Sequence, residues 1–570
     1  MDLIQRKTFD KTVESFIQKA ASEGVTLAWD RYEGQIPECG FCETGQSCRD
    51  CMQGPCISHP FKNEVNKLGV CGKDSDLLAA HSLLRIIIKG TMSFLDQAND
   101  LASTSTAANI DSLKLGVASL FGSLNPSVMS GIPSSITGAW TAAGIMPEGI
   151  AKDLIKASQK TEGGVTPVEE NILWAFKCAL LGCAAGILKS EFKKAEFGEV
   201  KPVDITINIG AIDPAIPNLV LYGEFSPVVK AKIAKAGKEA GIGVYSVAGD
   251  PLLCGVNIPI LTNHASQEVP IMTGAVDLIL AGDQCVNPSI LSLAARYNVP
   301  VISTQTLSQC CCSSSGSGDC VESLIQKVKD SKQVRGAFAR NVPSVKNIAT
   351  MGYSGSNLNV KAIADGLSNG NIKGIVIFAG NDNVKLSQDT DLTVMAQIFL
   401  DSGILCLSEG DASIALAKYG YLTKGSDISC SDGLKKVYGT LATPAIIDIT
   451  YYGMVEFLSV LSSVSGKSVK DLPVAAVFAE ASRNIDVVKA VTAVAFGVDT
   501  YFWPALPVGG GKKVVEALKS YCSKLFGASL YVEGRTITPR VKAANIVTAL
   551  TGEKGPDVSG NPWYGKTGSF

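Results

Sequence analysis

Two periodicities divide the chain. Up to about residue 199, apolar residues recur at helical spacing, as in DLLAAHSLLRIIIKGTMSFLDQ (76–97) and PVEENILWAFKCALLGCAAGILKSEF (167–192), with a cysteine-rich segment at 39–71 between them and the N-terminus. From about residue 200, short runs rich in branched residues take over: DITINIGA (204–211), GVYSVAG (243–249), VDLILAG (276–282) and VPVIST (299–304). Helical stretches such as PVVKAKIAKAGKEAG (227–241) and PSILSLAARYN (288–298) separate them. This alternation predicts parallel strands joined by crossover helices. After a linker-like ATMGYSGSN (349–357) it restarts with IKGIVIFAG (372–380), GILCLSEG (403–410), PAIIDIT (444–450), PVAAVFAEA (473–481) and DTYFWPALP (499–507). The expected fold class is α/β: an N-terminal helical domain over 1–199, one parallel-sheet domain over 200–353 and a second over 354–570. In open sheets of this kind ligands sit beyond the carboxyl ends of strands, so the segments after VDLILA, VPVIST, IVIFAG, ILCLSE and AIIDIT are where a site belongs.

Composition narrows the partners. A chain of 570 residues, 46% hydrophobic and 18% charged, buries large cores and suits about three or four domains. Its 51 basic and 53 acidic residues nearly cancel and form no long run of one sign, which argues against nucleic acid and anionic membranes as partners. The start, MDLIQRKTFDKTVESF, has no apolar signal core, and the most apolar stretches read as too short or too interrupted by charge to span a bilayer. The expected location is the cytoplasm. There, 17 cysteines are not expected to form disulfides, and a tight cluster of thiols points to metal.

CGFCETGQSCRDCMQGPC (39–56) is such a cluster, with five cysteines in eighteen positions. Cys48, Cys51 and Cys56, followed after fourteen residues by Cys71, offer four thiolates, the number a 4Fe-4S cubane takes. The Gly54-Pro55 turn lets backbone amides point at sulfur. Structural zinc also takes four thiolates, although the glycine-flanked, uneven spacing suits a cubane better. Cys39 and Cys42 supply two thiols, half of what a cluster needs. On a two-fold axis two such pairs would converge on one shared cluster; the alternative is a pair of free surface thiols.

IPECGFCETGQSCRDCMQGPC, with LGVCGKD after it, resembles the cluster-binding segment of nickel-iron carbon monoxide dehydrogenases, whose wider relatives are the hybrid-cluster (prismane) proteins. AAGIMPEGIAKDLIK, IPILTNHASQEVPIMTGAVDLILAGDQCVNPS, GNIKGIVIFAGNDNVKLSQD, SCSDGLKKV and KDLPVAAVFAEA resemble further stretches of that family in order. The resemblance implies a helical domain, two Rossmann-like domains and a homodimer. It assigns Cys48, Cys51, Cys56 and Cys71 to a 4Fe-4S cluster in each subunit, and Cys39 with one more cysteine to a cluster shared at the dimer axis. The family places that second cysteine where this chain has Ser47. Cys42 is the substitute, and the shared cluster can be 2Fe-2S or 4Fe-4S.

At the family's nickel-iron-sulfur active site the chain departs. Cys285 matches one ligand, but the other cysteines correspond to Asn381, Asp411 and Asp448, and the histidine ligand to Asn263, next to His264. A substrate-activating lysine corresponds to Ile485, and a proton-carrying histidine ladder to Phe94, Gln97 and Asp100. Amides and carboxylates favour hard ions and oxo-bridged iron, and Asn381, Ile485 and Phe94 do not titrate near neutrality. Nickel and carbon monoxide oxidation are therefore not expected.

Cys310, Cys311, Cys312 and Cys320, which follow VPVIST, are candidates with Cys285 and His264 to hold a third iron-sulfur or hybrid cluster; a partly exposed cysteine-rich loop is the competing reading. Asp382, Glu409, Asp411 and Asp448 read either as hard ligands or as helix caps, and PVGGGKK (507–513) as a turn. Cys178, Cys183, Cys254, Cys406, Cys430 and Cys522 read as buried small hydrophobes. The expectation is a dimeric iron-sulfur redox protein. Electrons would pass from a redox partner such as a ferredoxin through the shared and per-subunit clusters to a remodelled small-molecule site. The competing readings are a non-catalytic electron relay or scaffold for another enzyme, a hybrid-cluster-type reductase of hydroxylamine or a similar oxidant, and, last, a true carbon monoxide dehydrogenase.

Overall fold

The computed structural model describes residues 6–59, 67–249, 255–304, 317–336, 339–380, 382–450 and 453–556, with side chains from 320 in the fourth segment. Two 30-residue helices form the spine of the N-terminal region. Asp74 accepts from the Leu77 N–H at 2.8 Å and starts the first, Ser75–Thr104, which buries Leu78, Leu83, Leu84, Ile87, Phe94 and Leu101. The second, Val168–Phe197, is buried on nearly every face through its middle, as befits a central core helix. Both are long and apolar enough to cross a membrane by length and composition, which corrects the expectation that no stretch is. Burial inside the molecule takes 56% and 78% of their most apolar windows, so that surface packs the core.

Glycine decides how closely the helices cross. A Cβ on Gly90 would lie 2.4 Å from the Asn484 carbonyl oxygen, and one on Gly182 would lie 3.0 Å from Val488 Cγ1, so both long helices press against the helix Asn484–Ala495. The crossing brings Phe94 and Gln97, Lys189, and Ile485 and Lys489 around one space.

The cysteine segment forms a short hairpin, β1 (Ser47–Cys48) and β2 (Cys56–Ile57), with Cys48 directly opposite Cys56. A seven-stranded sheet follows: β3 (Val203–Ile207), β4 (Asn218–Tyr222), β5 (Gly243–Val247), β6 (Ile260–Thr262), β7 (Leu278–Ala281), β8 (Val301–Ser303) and β9 (Asn347–Met351). Its order is β8-β7-β4-β5-β6-β3-β9, parallel except for the antiparallel edge strand β9. The helix Lys11–Glu23, capped by Asp10, packs Val13, Phe16 and Ala20 into the core of this sheet.

The second sheet holds β10 (Gly374–Ala379), β11 (Ile404–Ser408), β12 (Ile446–Asp448), β13 (Val474–Phe478), β14 (Asp499–Phe502) and β15 (Leu530–Val532). All six are parallel, in the order β12-β11-β10-β13-β14-β15, which is the Rossmann order with its reversal between β10 and β13. β10, β11 and β13 are buried at every position, as strands covered on both faces must be.

An N-terminal helical region thus precedes two parallel-sheet units, as the periodicities predict. The ATMGYSGSN stretch, however, is no solvent-exposed linker. Its first residues belong to β9, Tyr353 bridges to Ile449 of the second unit, and Met351, Tyr353 and Ser354 are buried.

Candidate metal centre and central cavity

Cys48, Cys51, Cys56 and Cys71 line one small cavity together with Gly54, Gly69, Val70 and Leu78. The hairpin register supplies Cys48 and Cys56, and Gly69 of the next loop lies against Cys56, where a Cβ would stand 3.8 Å from its sulfur. Tetrahedral zinc, at about 2.3 Å from each sulfur, would hold the sulfurs about 3.8 Å apart. Among the described residues, Asp382, Asp389 and Glu480 are the only acid, histidine or cysteine trio within 4.8 Å, so no three of these sulfurs are gathered that tightly.

Behind this cradle lies an ion cluster that the sequence reading missed. Asp50 accepts from Lys73 Nζ at 3.1 Å, from Arg85 and from the Cys48 thiol at 3.1 Å, while Lys73 also donates to the Thr161 carbonyl at 2.7 Å. Burial opposes the Asp50 charge, but these donors outweigh it and hold the carboxyl below its usual range. The 507–513 turn is more than a connection. It braces the segment: Gly510 N–H donates to Thr44 O at 2.9 Å and Gln46 Nε2 donates to Gly510 O at 3.1 Å. A Cβ on Gly45 would meet Pro507 O at 2.2 Å.

Cys39 and Cys42 are exposed, at the two ends of one turn of chain. The Cys42 N–H acts first among the contacts that hold the Cys39 thiol below its usual range. Ser47 Oγ donates to Cys42 Sγ at 3.4 Å, so the two side chains lie next to each other. Glu38 beside them pairs with Arg535 at 3.3 Å and with Lys385, which ties this edge to the second sheet's unit.

A central cavity of about 110 Å³ lies where the helices meet the carboxyl ends of the strands. It gathers Cys285, Asp411, Asp448, Ile485, Phe94 and Gln97, six of the positions at which the sequence was compared with a metal site. Cys285, in the loop after β7 with φ +65°, accepts a hydrogen bond from Arg483 Nη1. Burial nevertheless pushes its thiol up to about 11, the guanidinium only partly opposing this. Lys489 donates to Glu409 Oε1 at 2.8 Å. Gly352 N–H donates to Asp448 Oδ2 at 3.0 Å.

Asp411 begins the helix Asp411–Lys418 but caps nothing; its Oδ2 lies 4.0 Å from Arg483 Nη2, and burial pushes its carboxyl up to about 6. Lys189 donates to Gln97 Oε1 at 2.9 Å, and Gln97 Nε2 to Gln284 Oε1 at 2.9 Å. One turn beyond, burial and the nearby Asp96 charge push Asp100 up to about 6. Arg483 and Lys489 escaped the sequence reading, although both follow β13 at the carboxyl end of the sheet, where charged residues are worth marking.

Other candidates lie elsewhere. Asn263 joins a buried network: it donates to Asp382 Oδ1 at 2.7 Å and Asp389 Oδ1 at 3.0 Å, and accepts from Gln388 at 2.8 Å and Lys418 at 3.1 Å. Lys418 pairs with Asp389 at 2.5 Å, and Glu480 accepts from the Asp389 and Asp391 N–H groups. Gln388 and the Ala265 N–H donate to Asp382 Oδ2. Every carboxylate oxygen of this acidic trio therefore has a donor, and no ion is needed. The network fastens the loop after β6 to those after β10 and β13. Burial and the Asp389 charge raise the Asp382 carboxyl well above its usual range, and burial with Asp382 does the same to Glu480.

His264 Nδ1 faces Gln267 Nε2 at 2.9 Å, and burial holds the imidazole neutral with its pKa pushed down to about 3. Cys320 packs against the apolar core of the first sheet beside Leu324 and Ile325, not on the cavity. Cys310, Cys311, Cys312, Cys254 and Asn381 lie outside the described residues. Cys178, Cys183, Cys406 and Cys522 are buried and Cys430 partly so.

A cysteine-lined cradle on a helical region, joined to two parallel α/β units around a central cavity, defines the class. The chain belongs to the Prismane/CO dehydrogenase family, which matches over residues 46–119 and 120–535. It is 26% identical to carbon monoxide dehydrogenase 2 of Carboxydothermus hydrogenoformans, covering 98% of this chain and 99% of that protein, and 26% identical to carbon monoxide dehydrogenase 1 of Methanosarcina mazei, covering 95% and 96%. In fold it resembles carbon monoxide dehydrogenase IV from C. hydrogenoformans, with a TM-score of 0.87 at 23% identity, covering 96% of this chain and 99% of that one. A nickel-free carbon monoxide dehydrogenase from Thermococcus sp. AM4 gives 0.86 at 24% identity, covering 96% and 97%.

Proposed function

We propose that the protein is a dimeric iron-sulfur redox protein on a carbon monoxide dehydrogenase scaffold whose central site has been rebuilt for a reaction other than carbon monoxide oxidation. Cys48, Cys51, Cys56 and Cys71 hold a 4Fe-4S cluster in each subunit. Cys39 and Cys42, exposed and adjacent, meet their counterparts in a second copy and hold a shared cluster. Electrons from a redox protein such as a ferredoxin enter through the shared cluster and pass inward.

One observation carries the reading. Among the described residues, sulfur is concentrated in the N-terminal cradle, whereas the central cavity presents a single thiol, Cys285, faced by the Arg483 guanidinium and ringed by carboxylates. A nickel-iron-sulfur cluster needs several soft thiolates, and a cation aimed at the one sulfur competes with metal for it. Cys285 belongs to the rebuilt site as a polar residue, and His264, Cys310, Cys311, Cys312 and Cys320 are not required.

Metal analysis of anaerobically purified protein is the test. One cubane and half of a shared 4Fe-4S cluster give about six iron per chain, or about five if the shared cluster is 2Fe-2S, with nickel absent. Iron near ten per chain, or stoichiometric nickel, would contradict the reading. Replacing Cys39 and Cys42 together by serine is expected to remove about one or two iron per chain and leave the cubane spectrum; unchanged iron would reject the shared cluster.

A further inference from the structure

We propose that the central cavity is a binding site for one small organic cation with N–H donors, of the primary ammonium or amidinium class. This deepens the reading of the cavity as a rebuilt site and rests on it. Asp411, only 3% exposed, has a buried Oδ2 without a hydrogen-bond donor in the protein, 4.0 Å from Arg483 Nη2. Glu409, also 3% exposed, gives Oε1 to Lys489 and leaves Oε2 without a donor. Buried carboxylate oxygens are costly without donors, so two of them on one cavity mark where a ligand's N–H groups belong.

Charge selects the sign of the ligand. Among the described residues, carboxylates outnumber cationic side chains on the lining by five to three, and burial keeps Cys285 a neutral thiol. An anion is therefore disfavoured. A metal ion fits poorly too, because no three donor atoms of the lining come within 4.8 Å of one another among the described residues. Phe94, Met351 and Ile485 supply an apolar wall for a short carbon chain, and a space of about 110 Å³ limits the ligand to a few heavy atoms.

Acetamidinium is the probe and acetamide, of the same planar shape without the charge, the control. Calorimetric titration of the full chain as purified is expected to show saturable binding of one acetamidinium per chain and none of acetamide. Asp411→Asn is expected to weaken binding at least about tenfold with an unchanged circular dichroism spectrum. Glu409→Gln is expected to weaken it severalfold, and it serves as the test should Asp411→Asn not fold. No saturable binding, equal binding of acetamide, or undiminished affinity in the folded variants overturns the proposal. Iron at the expected level without acetamidinium binding defeats this inference alone, whereas iron or nickel found within the central cavity defeats the reading beneath it.

Discussion

A metal held at Cys285 would need an electron-rich sulfur, but this thiol is buried, faces a guanidinium and is pushed up to about 11. A neutral thiol that accepts from a cation is a weak donor to metal at neutral pH. Asp411 behaves in a related way. Burial raises its carboxyl from the ordinary 3.8 to about 6, so the folded protein holds a proton that the unfolded chain releases, and stability from this group falls as pH rises through that window. Asp411→Asn removes the penalty. The variant is expected to gain on wild type, by about 1–2 kcal/mol more at pH 8 than at pH 5, in urea midpoints; a pH-independent difference would refute the assignment. The sequence comparison located Cys285, Asp411, Asp448, Ile485, Phe94 and Gln97, which the structure gathers on one cavity. Arg483, Lys489, Asp50 and Lys73 were not legible, because their importance comes from what folds against them rather than from residue type or spacing.

Elements differ in how openly the chain states them. The two long helices announce themselves by period, and nine of the thirteen sheet strands are visible as branched runs. β6 and β15 were not read as runs, β9 lay within an apparent linker, and β4 follows a proline-rich turn that masked it. What no periodicity reveals is how closely the helices cross. Gly90 illustrates this. In an ordinary helix interior, glycine to alanine is stabilising by about 1 kcal/mol, but here the new Cβ would press on the Asn484 carbonyl at 2.4 Å. Gly90→Ala is expected to destabilise by about 1–3 kcal/mol in urea unfolding and to displace Lys489 from the cavity. A neutral or stabilising result would mean that the crossing is looser than described.

At the scale of the whole molecule, the two sheet units are sewn together and the cysteine segment is sewn to the second. Asn263, Asp382, Gln388 and Lys418 join the loop after β6 to the loop after β10, and Tyr353 carries the main chain across buried. The cysteine segment rests on the 507–513 turn and on Arg535 and Lys385. Such bracing holds the cysteine cradle against the second unit, apart from the charge-lined central cavity. The most direct test is an anomalous-scattering map, recorded at the iron and nickel edges on crystals grown without oxygen. Iron is expected among Cys48, Cys51, Cys56 and Cys71, with neither metal between Cys285 and Arg483; a peak of either metal against Cys285 would contradict the account.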